Sequence, residues 1–361
     1  MQAIGCNDPT VPWHCSPENI VPAPSRAGDP NCVADGGGAF RLAEKRYAGR
    51  GEPGMSKRKR RCVDDTDLSH VVDFTHLERN TPENLAQIVE VPLQLKDGAV
   101  PSSFGAASPK LYAFKSMEGL YFMPNPFTEA QQRYWIKRCV KDYSVGNPTN
   151  LSNLQAIQSG HSTFWSDWKL ENMSGLRWSS LGYHYQWTPR VYTEEHRGNF
   201  PEDLHGFIQD AASVLGHGDM RPEAAIINYY PHTKSMMGGH LDDAEEAMEK
   251  PIVSCSFGNT VIFLIGGRTR DVEPTALFIR SGDIVFMAGH ARYCYHGVPK
   301  MMAGTSPDFL CTFNPETEAD SQNWCPELSE YMKDARVNMN VRQVRKLARE
   351  MICCSSRLSD E

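Results

Sequence analysis

The sequence lacks the features of a membrane protein and of a protein held together by disulfide bonds. No apolar run approaches the ~20 residues needed to cross a bilayer, and the longest, Thr260–Ile265, has the length of a single strand. The 11 cysteines are an odd number and include no Cys-x-x-Cys pair. This pattern favours reduced thiols in the cytosol, nucleus or mitochondrial matrix, and it offers no ligand spacing for zinc.

A basic overall charge and a targeting leader are also missing. The formal net charge is -7, whereas a generic nucleic-acid binder is usually basic overall, so any nucleic-acid activity would need a local basic surface. The first residues show neither the charged start and apolar stretch of a secretory signal nor the arginine-rich helix of a mitochondrial presequence. We therefore expect a soluble intracellular protein without a membrane partner.

The composition predicts three parts of the chain. Residues 1–110 carry frequent proline, glycine and polar residues and are predicted to form a partly disordered N-terminal extension. Ordered structure is expected from about Leu111, with a folded domain over 111–345 and a tail over 346–361. Within the extension, Lys57–Arg61 is an unbroken run of cations. It predicts a nuclear import signal or a phosphate-contacting arm, and it fits a solvated linker equally well.

The folded part is predicted to be mainly β with flanking helices. Thr128 with Gln131 forms a capping box that opens a helix over Glu129–Tyr143, with a basic face on its exposed side. From Ala225 onward, short apolar strands alternate with turns and not with helices, which favours antiparallel sheets in a sandwich or jelly roll. The predicted strands are Gly119–Met123, Ala225–Tyr230, Ile252–Phe257, Thr260–Ile265, Ala276–Ile279, Ile284–Met287, Arg292–Tyr295, Phe309–Phe313 and Ala335–Arg342.

A candidate metal site begins in the segment Gly238–Asp242. Side chains two apart on an extended chain point to the same face, so His240 and Asp242 project together. An imidazole and a carboxylate are two corners of the 2-His-1-carboxylate triad that binds non-haem Fe(II). The pair alone is common by chance, and a third ligand is required. We assign His296, at the end of a predicted strand that follows a hairpin over Phe278–Val285, and we interpret His290 as a loop histidine.

The segment Arg336–Arg342 carries a second signal. Two arginines and two asparagines alternate along it with three apolar residues, so a strand would bury one face and present the four polar side chains on the other. Arginine binds carboxylates through two parallel hydrogen bonds. Taken alone, the pattern fits an edge strand with a solvated cationic face. Combined with the three candidate metal ligands, it predicts a cradle for a dicarboxylate.

Together these motifs resemble the AlkB family of Fe(II)- and 2-oxoglutarate-dependent nucleic-acid dioxygenases, and most closely its eukaryotic homologue one branch. The family pattern is His-x-Asp with a distal His, then Arg-x-Asn-x-x-x-Arg. The family's lid pattern is matched around 176–187. One departure is Ala244, which stands where the bacterial enzyme has a substrate-contacting acid; another is the longer stretch over 301–334. The matching residues are His240, Asp242, His296, Asn228, Tyr230, Arg336, Asn338 and Arg342.

The resemblance implies a double-stranded β-helix (jelly roll) core and three reactants besides the substrate: Fe(II), 2-oxoglutarate and O2. It implies that Arg336 pairs with the distal carboxylate of 2-oxoglutarate and that Arg342 lies near its other end, with Asn228, Tyr230 and Asn338 lining the same site. The expected reaction hydroxylates a methyl group on a base nitrogen, after which formaldehyde leaves; the cosubstrate becomes succinate and CO2.

The substrate remains open at the level of sequence. Trp178, Tyr183 and Tyr185 are candidates to stack on a flipped base, although alternating aromatics on a strand are as often part of the core. The implied partner is DNA or tRNA containing methyladenine. A histone demethylase or protein hydroxylase would share the same iron site, and a non-catalytic nucleic-acid-binding module is a further alternative. The basic run predicts the nucleus, with the mitochondrion or cytoplasm as alternatives.

Overall fold

We describe the protein from a computed structural model. The basic run at 57–61, the first 37 residues and most of the C-terminal tail lie outside the described residues. The α-helices are α1 (Ala39–Tyr47), α2 (Pro82–Gln87), α3 (Glu129–Lys137), α4 (Glu202–Ser213), α5 (Asp308–Cys311) and α6 (Pro326–Asp334). The structure describes residues 38–49, 66–95, 98–151, 173–232, 234–315 and 324–346.

In the described residues, twelve strands form two antiparallel sheets. The large sheet has the order β1-β2-β3-β10-β7-β12-β5-β4, and the small sheet has the order β6-β11-β8-β9. The predicted mainly β jelly-roll architecture with flanking helices is therefore confirmed. The strands are β1 (Ile88–Val91), β2 (Leu111–Phe114), β3 (Met117–Met123), β4 (Trp178–Gly182), β5 (Ala224–Tyr230), β6 (Met237–His240), β7 (Ile252–Gly258), β8 (Val261–Ile265), β9 (Thr275–Ile279), β10 (Ile284–Met287), β11 (His296–Met301) and β12 (Arg336–Arg342).

The two faces of the large sheet have different partners. On the outer face, apolar residues of β5, β7 and β12 such as Ile227, Phe257 and Met339 pack with α3, α4 and α6 in the largest core cluster. A second cluster, which includes Phe122 of β3 and Ile265 of β8, fills the space between the two sheets. Because side chains alternate along a strand, the polar residues of β12 face that interior space.

The N-terminal extension contains described structure before Leu111, including a helix over Ala39–Tyr47, where the residue pattern is compatible with one short helix. Strand β1 pairs with β2 through Val91 and Leu111. Helix α1 buries Phe40, Ala43 and Tyr47 against small-sheet residues. The composition of the extension is polar, but these three residues recur at helical spacing and supply one apolar stripe, which is enough to dock a short helix.

Three local predictions are wrong. Arg292–Tyr295 is not a strand, because residues Gly289–Tyr293 form a 3-10 helix. Phe309–Phe313 is not a strand either, since α5 occupies Asp308–Cys311. The predicted hairpin over Phe278–Val285 does not form, because β9 and β10 belong to different sheets and the turn between them crosses the sandwich. Short apolar runs do not distinguish these alternatives by periodicity alone.

The helix after Thr128 follows the prediction at its start and departs from it at its end. The capping box with Gln131 is present. The α-helix ends at Lys137, before the predicted end at Tyr143, and a π-helix over Arg138–Asp142 follows it directly. On the basic face of this helix, Arg133 is engaged within the protein. Arg133 donates to the carbonyl of Phe309, at 3.0 Å from Nε, and its guanidinium lies 5.2 Å from the ring of Trp324.

The described part of the chain bears on disulfide bonds and on membrane-spanning helices. The five cysteines there (Cys139, Cys255, Cys294, Cys311 and Cys325) are free thiols, as the odd count and scattered spacing predict. Among the described residues, no helix has the length and apolar character needed to pass through a bilayer.

Candidate metal centre

Pairing of β6 with β11 places His240 opposite His296, and Asp242 follows two residues after the end of β6. The ring centroids of the two histidines are 4.4 Å apart. Nε2 of His240 lies 3.9 Å from Asp242 Oδ1, and Nε2 of His296 lies 3.8 Å from Asp242 Oδ2. One ligand atom from each residue lies within 4.8 Å of the others. The three predicted ligands therefore form one cluster, whereas His290 is exposed on the 3-10 helix.

Backbone carbonyls fix the orientation of both imidazoles. Nδ1 of His240 lies 3.0 Å from the carbonyl of Gly238, and Nδ1 of His296 lies 3.1 Å from the carbonyl of Cys294. A carbonyl oxygen only accepts hydrogen bonds, so each Nδ1 carries the proton and each Nε2 presents a lone pair toward Asp242. This arrangement is the usual support of metal-binding histidines.

The charge states of the cluster also suit a cation. Burial, followed by the proximity of His240, lowers the pKa of His296 to about 4, so its ring is neutral at neutral pH. Burial alone would raise the pKa of Asp242, but the guanidinium of Arg342 and the two histidines outweigh it and hold the pKa below its ordinary range. An ionised carboxylate and a neutral imidazole are the forms that bind metal.

A buried ionic network connects this cluster to β12. Arg342 lies 3.2 Å from Asp242 and 3.1 Å from Glu245, and it donates to Asn340 Oδ1 at 2.7 Å. Arg292 binds the other oxygen of Glu245 at 2.7 Å and also donates to the backbone carbonyl of Asp242. Burial would raise the pKa of Glu245, but the two guanidiniums lower it below its ordinary value. The network thus orients both a candidate metal ligand and a candidate cosubstrate arginine.

Arg336, at the other end of β12, lacks such a network. Its Nε donates to Ser256 Oγ at 2.9 Å, and its guanidinium lies 4.8 Å from the ring of Tyr230. Burial lowers the pKa of Arg336, and none of the carboxylates in the described segments forms a salt bridge with it. A buried cation without an anionic partner is costly, so this position is suited to an anionic ligand.

The remaining predicted residues lie between these two arginines on the same face. Asn338 is directly opposite Asn228 on β5, and Asn228 is directly opposite Trp178 on β4. Paired residues of neighbouring antiparallel strands project to the same face. The Asn338 amide is held by Ser254 Oγ and the carbonyl of Cys255, both at 2.9 Å. A polar row therefore runs across the inner face of the large sheet.

Buried polar atoms without hydrogen-bond partners converge on this space. Nearly all buried polar atoms in folded proteins have such partners, so the exceptions point to bound groups. Here the donor set of imidazole nitrogen, carboxylate oxygen and guanidinium nitrogen fits a divalent metal together with a dicarboxylate. The buried atoms without a hydrogen bond at the site are His296 Nε2, Asp242 Oδ2, Arg292 Nε, Arg336 Nη1 and Arg342 Nε. Of these, Asp242 Oδ2 lies within ion-pairing distance of Arg342, at 3.2 Å.

Two of the three predicted aromatic residues lie in one cluster. Trp178 and Tyr185 both contact Trp187, with ring centroids 5.5 and 4.9 Å apart. Trp187 is 54% exposed, which is unusual for a tryptophan. Tyr183 is placed elsewhere: its ring is buried beside Arg197, and its hydroxyl donates to Glu194. Trp178 and Tyr185 thus share the exposed ring of Trp187, and Tyr185 also packs against the buried cluster that contains Tyr183 and Tyr192.

Several residues of the site were not predicted from sequence. Glu245, Arg292 and Ser256 have no spacing that marks them, because they meet only through the pairing of strands and the packing of a 3-10 helix. Trp187 could have been found, since it continues the alternation of Tyr183 and Tyr185 by two residues.

Comparison with known proteins gives the class. Residues 119–342 match the 2OG-Fe(II) oxygenase superfamily, so the match contains all three candidate metal ligands and the arginine strand. The chain belongs to this superfamily and, within it, to the AlkB-like proteins. It is accordingly an Fe(II)- and 2-oxoglutarate-dependent dioxygenase whose cosubstrates are 2-oxoglutarate and O2, as the sequence resemblance predicted.

Its relatives span most of the chain. The mouse protein named nucleic acid dioxygenase ALKBH1 is 33% identical over 311 residues, covering 77% of this chain and 79% of the mouse protein. The Arabidopsis thaliana protein named DNA N(6)-methyladenine demethylase ALKBH1A is 30% identical over 349 residues, covering 85% and 96%. The Schizosaccharomyces pombe protein named tRNA demethylase abh1 is 28% identical over 334 residues, covering 85% and 95%. The predicted resemblance to the AlkB family is confirmed.

Proposed function

We propose that this protein oxidatively demethylates N-methylated bases in nucleic acid, with methyladenine in DNA or tRNA as the target. The products are the demethylated base, formaldehyde, succinate and CO2. The observation that carries the proposal is the partly buried cluster of His240, Asp242 and His296 beside two buried arginines and an aromatic cluster with the exposed Trp187. The names of the mouse, plant and yeast relatives support nucleic acid as the substrate class.

In this proposal His240, Asp242 and His296 hold the iron. Bound Fe(II), with 2-oxoglutarate and O2, supplies the oxidising power for hydroxylating the methyl group. The protein holds the ligand atoms in place before the metal arrives, since both imidazoles are fixed by carbonyl groups and Asp242 is fixed by Arg342. Three ligands on one side leave the other side of the metal for cosubstrate and substrate.

Arg336 holds the distal carboxylate of 2-oxoglutarate. Its unpartnered Nη1 and its position without an ion-pairing carboxylate support this role. Arg342 lies near the keto-acid end, because it already contacts Asp242. Asn228, Tyr230 and Asn338 line the space between the two arginines, where their side chains exclude water and limit the orientations that a dicarboxylate can adopt.

The aromatic cluster receives the base. A methylated base inside a duplex cannot reach the iron and has to be flipped out or presented in a single strand. Trp178 lies in register with Asn228 on the site face of the sheet, and Tyr185 and Trp187 extend the aromatic surface from it toward solvent. Stacking on such rings contributes about 1–3 kcal/mol per base.

The decisive experiment measures succinate and formaldehyde from iron-loaded protein with 2-oxoglutarate and O2. The substrates are a methyladenine DNA oligonucleotide, a methyladenine tRNA stem-loop and a methyl-lysine histone peptide. His240→Ala should abolish turnover, whereas His290→Ala, which changes an exposed histidine on the 3-10 helix, should retain it. Turnover on the peptide alone would replace the proposal with a protein demethylase. Iron-dependent turnover on none of the three would refute it.

We propose the nucleus as the place of action, with the mitochondrion or cytoplasm as alternatives. The proposal is supported by the basic run at 57–61, which lies outside the described residues. A fluorescent fusion of the full chain should concentrate in the nucleus and should lose that concentration when the run is changed to alanine. Equal distribution of both fusions would contradict it.

A further inference from the structure

The outer edge of strand β6, which carries the candidate ligand His240, is covered by residues from outside the sheet. Among the described strands, β6 is at the edge of the small sheet and pairs with β11 alone. The backbone amide of Gly239, one residue before His240, donates to Glu44 Oε1 at 2.6 Å. The backbone carbonyl of the same residue accepts from Arg270 Nη2 at 2.9 Å. Two side chains thus occupy the place that a neighbouring strand would have.

Glu44 belongs to α1, in a part of the chain that precedes the oxygenase match at residues 119–342. Helix α1 is docked independently of this contact. Its buried stripe packs with Ile262, Leu264 and Ala276 of the small sheet, and the amide of Phe40 donates to the carbonyl of Arg270 at 2.9 Å. The helix and the loop that contains Arg270 therefore act on the edge of β6 as one connected support.

The packing at Gly239 is too close to permit a side chain. A Cβ at this position would lie 2.5 Å from Cε1 of Phe40, which is shorter than real Cβ contacts. The guanidinium of Arg270 is itself held over the ring of Tyr295, at 5.1 Å from its centroid. Gly239 is thus held by two hydrogen bonds and by contact with the ring of Phe40. Because His240 is the next residue, the same contacts restrict the position of its backbone.

We propose that Glu44 and Arg270 are positioning residues for the metal ligand His240, and that helix α1 is a working part of the metal centre. The inference rests on the proposed role of His240 in binding iron. An edge strand without such a cover has unsatisfied backbone groups and more freedom to shift. Displacing β6 by a fraction of an ångström would move His240 relative to Asp242 and His296 and would weaken metal binding.

The test is Mn(II) binding by the metal-free, full-length protein, measured by titration calorimetry. Partners that orient metal ligands typically change metal affinity by about 10–100-fold when removed. Glu44→Ala should weaken Mn(II) binding by about tenfold, the low end of that range, because it acts through the backbone. Glu44→Gln should stay close to wild type, since the amide oxygen can still accept from Gly239. The matched control is Glu273→Ala, an exposed glutamate that pairs with Arg46 of the same helix, and it should bind Mn(II) like wild type.

Two results would overturn the inference. One is wild-type Mn(II) affinity in a folded Glu44→Ala protein; the other is equal loss in Glu44→Ala and Glu44→Gln, which would indicate that the charge and not the hydrogen bond matters. Arg270→Ala is a second test of the inference. It removes the hydrogen bond to the carbonyl of Gly239 and should also weaken Mn(II) binding.

His240→Ala separates this inference from the proposed function. If that variant loses Mn(II) and Glu44→Ala does not, the positioning role fails and the iron site stands. If His240→Ala binds Mn(II) as tightly as wild type, the proposed iron site fails and the positioning role fails with it. Circular dichroism and thermal unfolding of each variant identify any loss that arises from unfolding.

Discussion

Oδ2 of Asp242 lies 3.2 Å from the guanidinium of Arg342, and the two side chains are only 13% and 3% exposed. A candidate metal ligand that follows the small-sheet strand β6 is thereby joined to the arginine strand β12 of the large sheet. Because Glu245 and Arg292 extend the same network, the position of the metal-binding carboxylate depends on four charges that are held away from water.

Glu245→Gln should destabilise the protein strongly. The change removes the anion between Arg292 and Arg342. It leaves Arg342 with the Asp242 carboxylate alone and leaves Arg292 with only the backbone carbonyl of Asp242. Breaking a buried ion pair costs about 3–5 kcal/mol, and we expect a loss of that size in the free energy of unfolding from urea titration.

The control for this change is the next residue. Glu246 pairs with Arg345 at the surface, where the glutamate is 49% exposed. Surface pairs contribute about 0–1 kcal/mol, so Glu246→Gln should be close to wild type. Similar losses in the free energy of unfolding in both variants would show that burial does not determine how much the ion pairs of Glu245 stabilise the protein.

Arg336→Met should weaken 2-oxoglutarate binding without weakening the metal. Arg336 contacts Ser256 and Tyr230 and not the three candidate ligands in the described part of the chain, and its Nη1 has no hydrogen-bond partner. A hydrogen bond to a charged group contributes about 1.5–3 kcal/mol, which corresponds to a loss of roughly 10–100-fold in affinity. Calorimetry of the Mn(II)-loaded protein with 2-oxoglutarate measures the effect, and the exposed Arg221→Met is the matched control.

For Arg336→Met we also predict an effect on the stability of the protein. Since burial lowers the pKa of Arg336, the charged side chain opposes folding while no dicarboxylate is bound. Arg336→Met should therefore be at least as stable as wild type without 2-oxoglutarate and should gain less stability when it is added. A large loss of stability without the cosubstrate would indicate a purely structural arginine.

Asp283 should make stability fall as pH rises from about 4 to about 7. It is fully buried in the turn between β9 and β10, and burial raises its pKa to about 7 despite hydrogen bonds from the amides of Asn125 and Arg280. The unfolded value is about 3.9, so the folded state binds the proton more tightly. This contribution to stability is complete below about pH 4 and is lost as pH rises through about 7.

Asp283→Asn isolates that contribution. The variant cannot titrate at this position, so its free energy of unfolding should decline less than that of wild type between about pH 4 and 7. Urea titrations across this interval measure the difference, with the exposed Asp271→Asn as a control that keeps the wild-type slope. A slope in Asp283→Asn equal to that of wild type would contradict the prediction.

Trp187→Ala should weaken nucleic-acid binding and leave the metal centre intact. The residue is 54% exposed at the edge of the aromatic cluster, so its removal leaves no cavity. We expect a loss of about 1–3 kcal/mol in affinity for a methyladenine single strand, measured by fluorescence polarisation. Tyr183→Phe, which alters a buried hydroxyl bonded to Glu194, should not change that affinity, and equal effects of the two variants would argue against stacking.

The elements that could be predicted from the sequence are those whose structure is determined by residues close together in the chain. The capping box at Thr128 has only one partner within reach, and the long apolar strands of the large sheet have a clear alternation. The failures lie where local patterns are ambiguous. Residues 309–313 fit either a strand or a helical turn, and the turn before Asp283 is compatible with a hairpin or with a crossing between sheets.

The sequence by itself determined the chemistry of the centre. Residue types and spacing predicted His240 and Asp242 as candidate ligands and the alternation of Arg336–Arg342, because these properties depend on side chains two apart on one strand. The third candidate, His296, was predicted from its place after the run of short strands. Only the tertiary structure decided what surrounds them. Glu245 reaches Arg342, and Glu44 reaches Gly239, across 97 and 195 residues of chain. Such contacts arise from how two sheets and a docked helix pack, and packing leaves no periodic signal in the residues that it brings together.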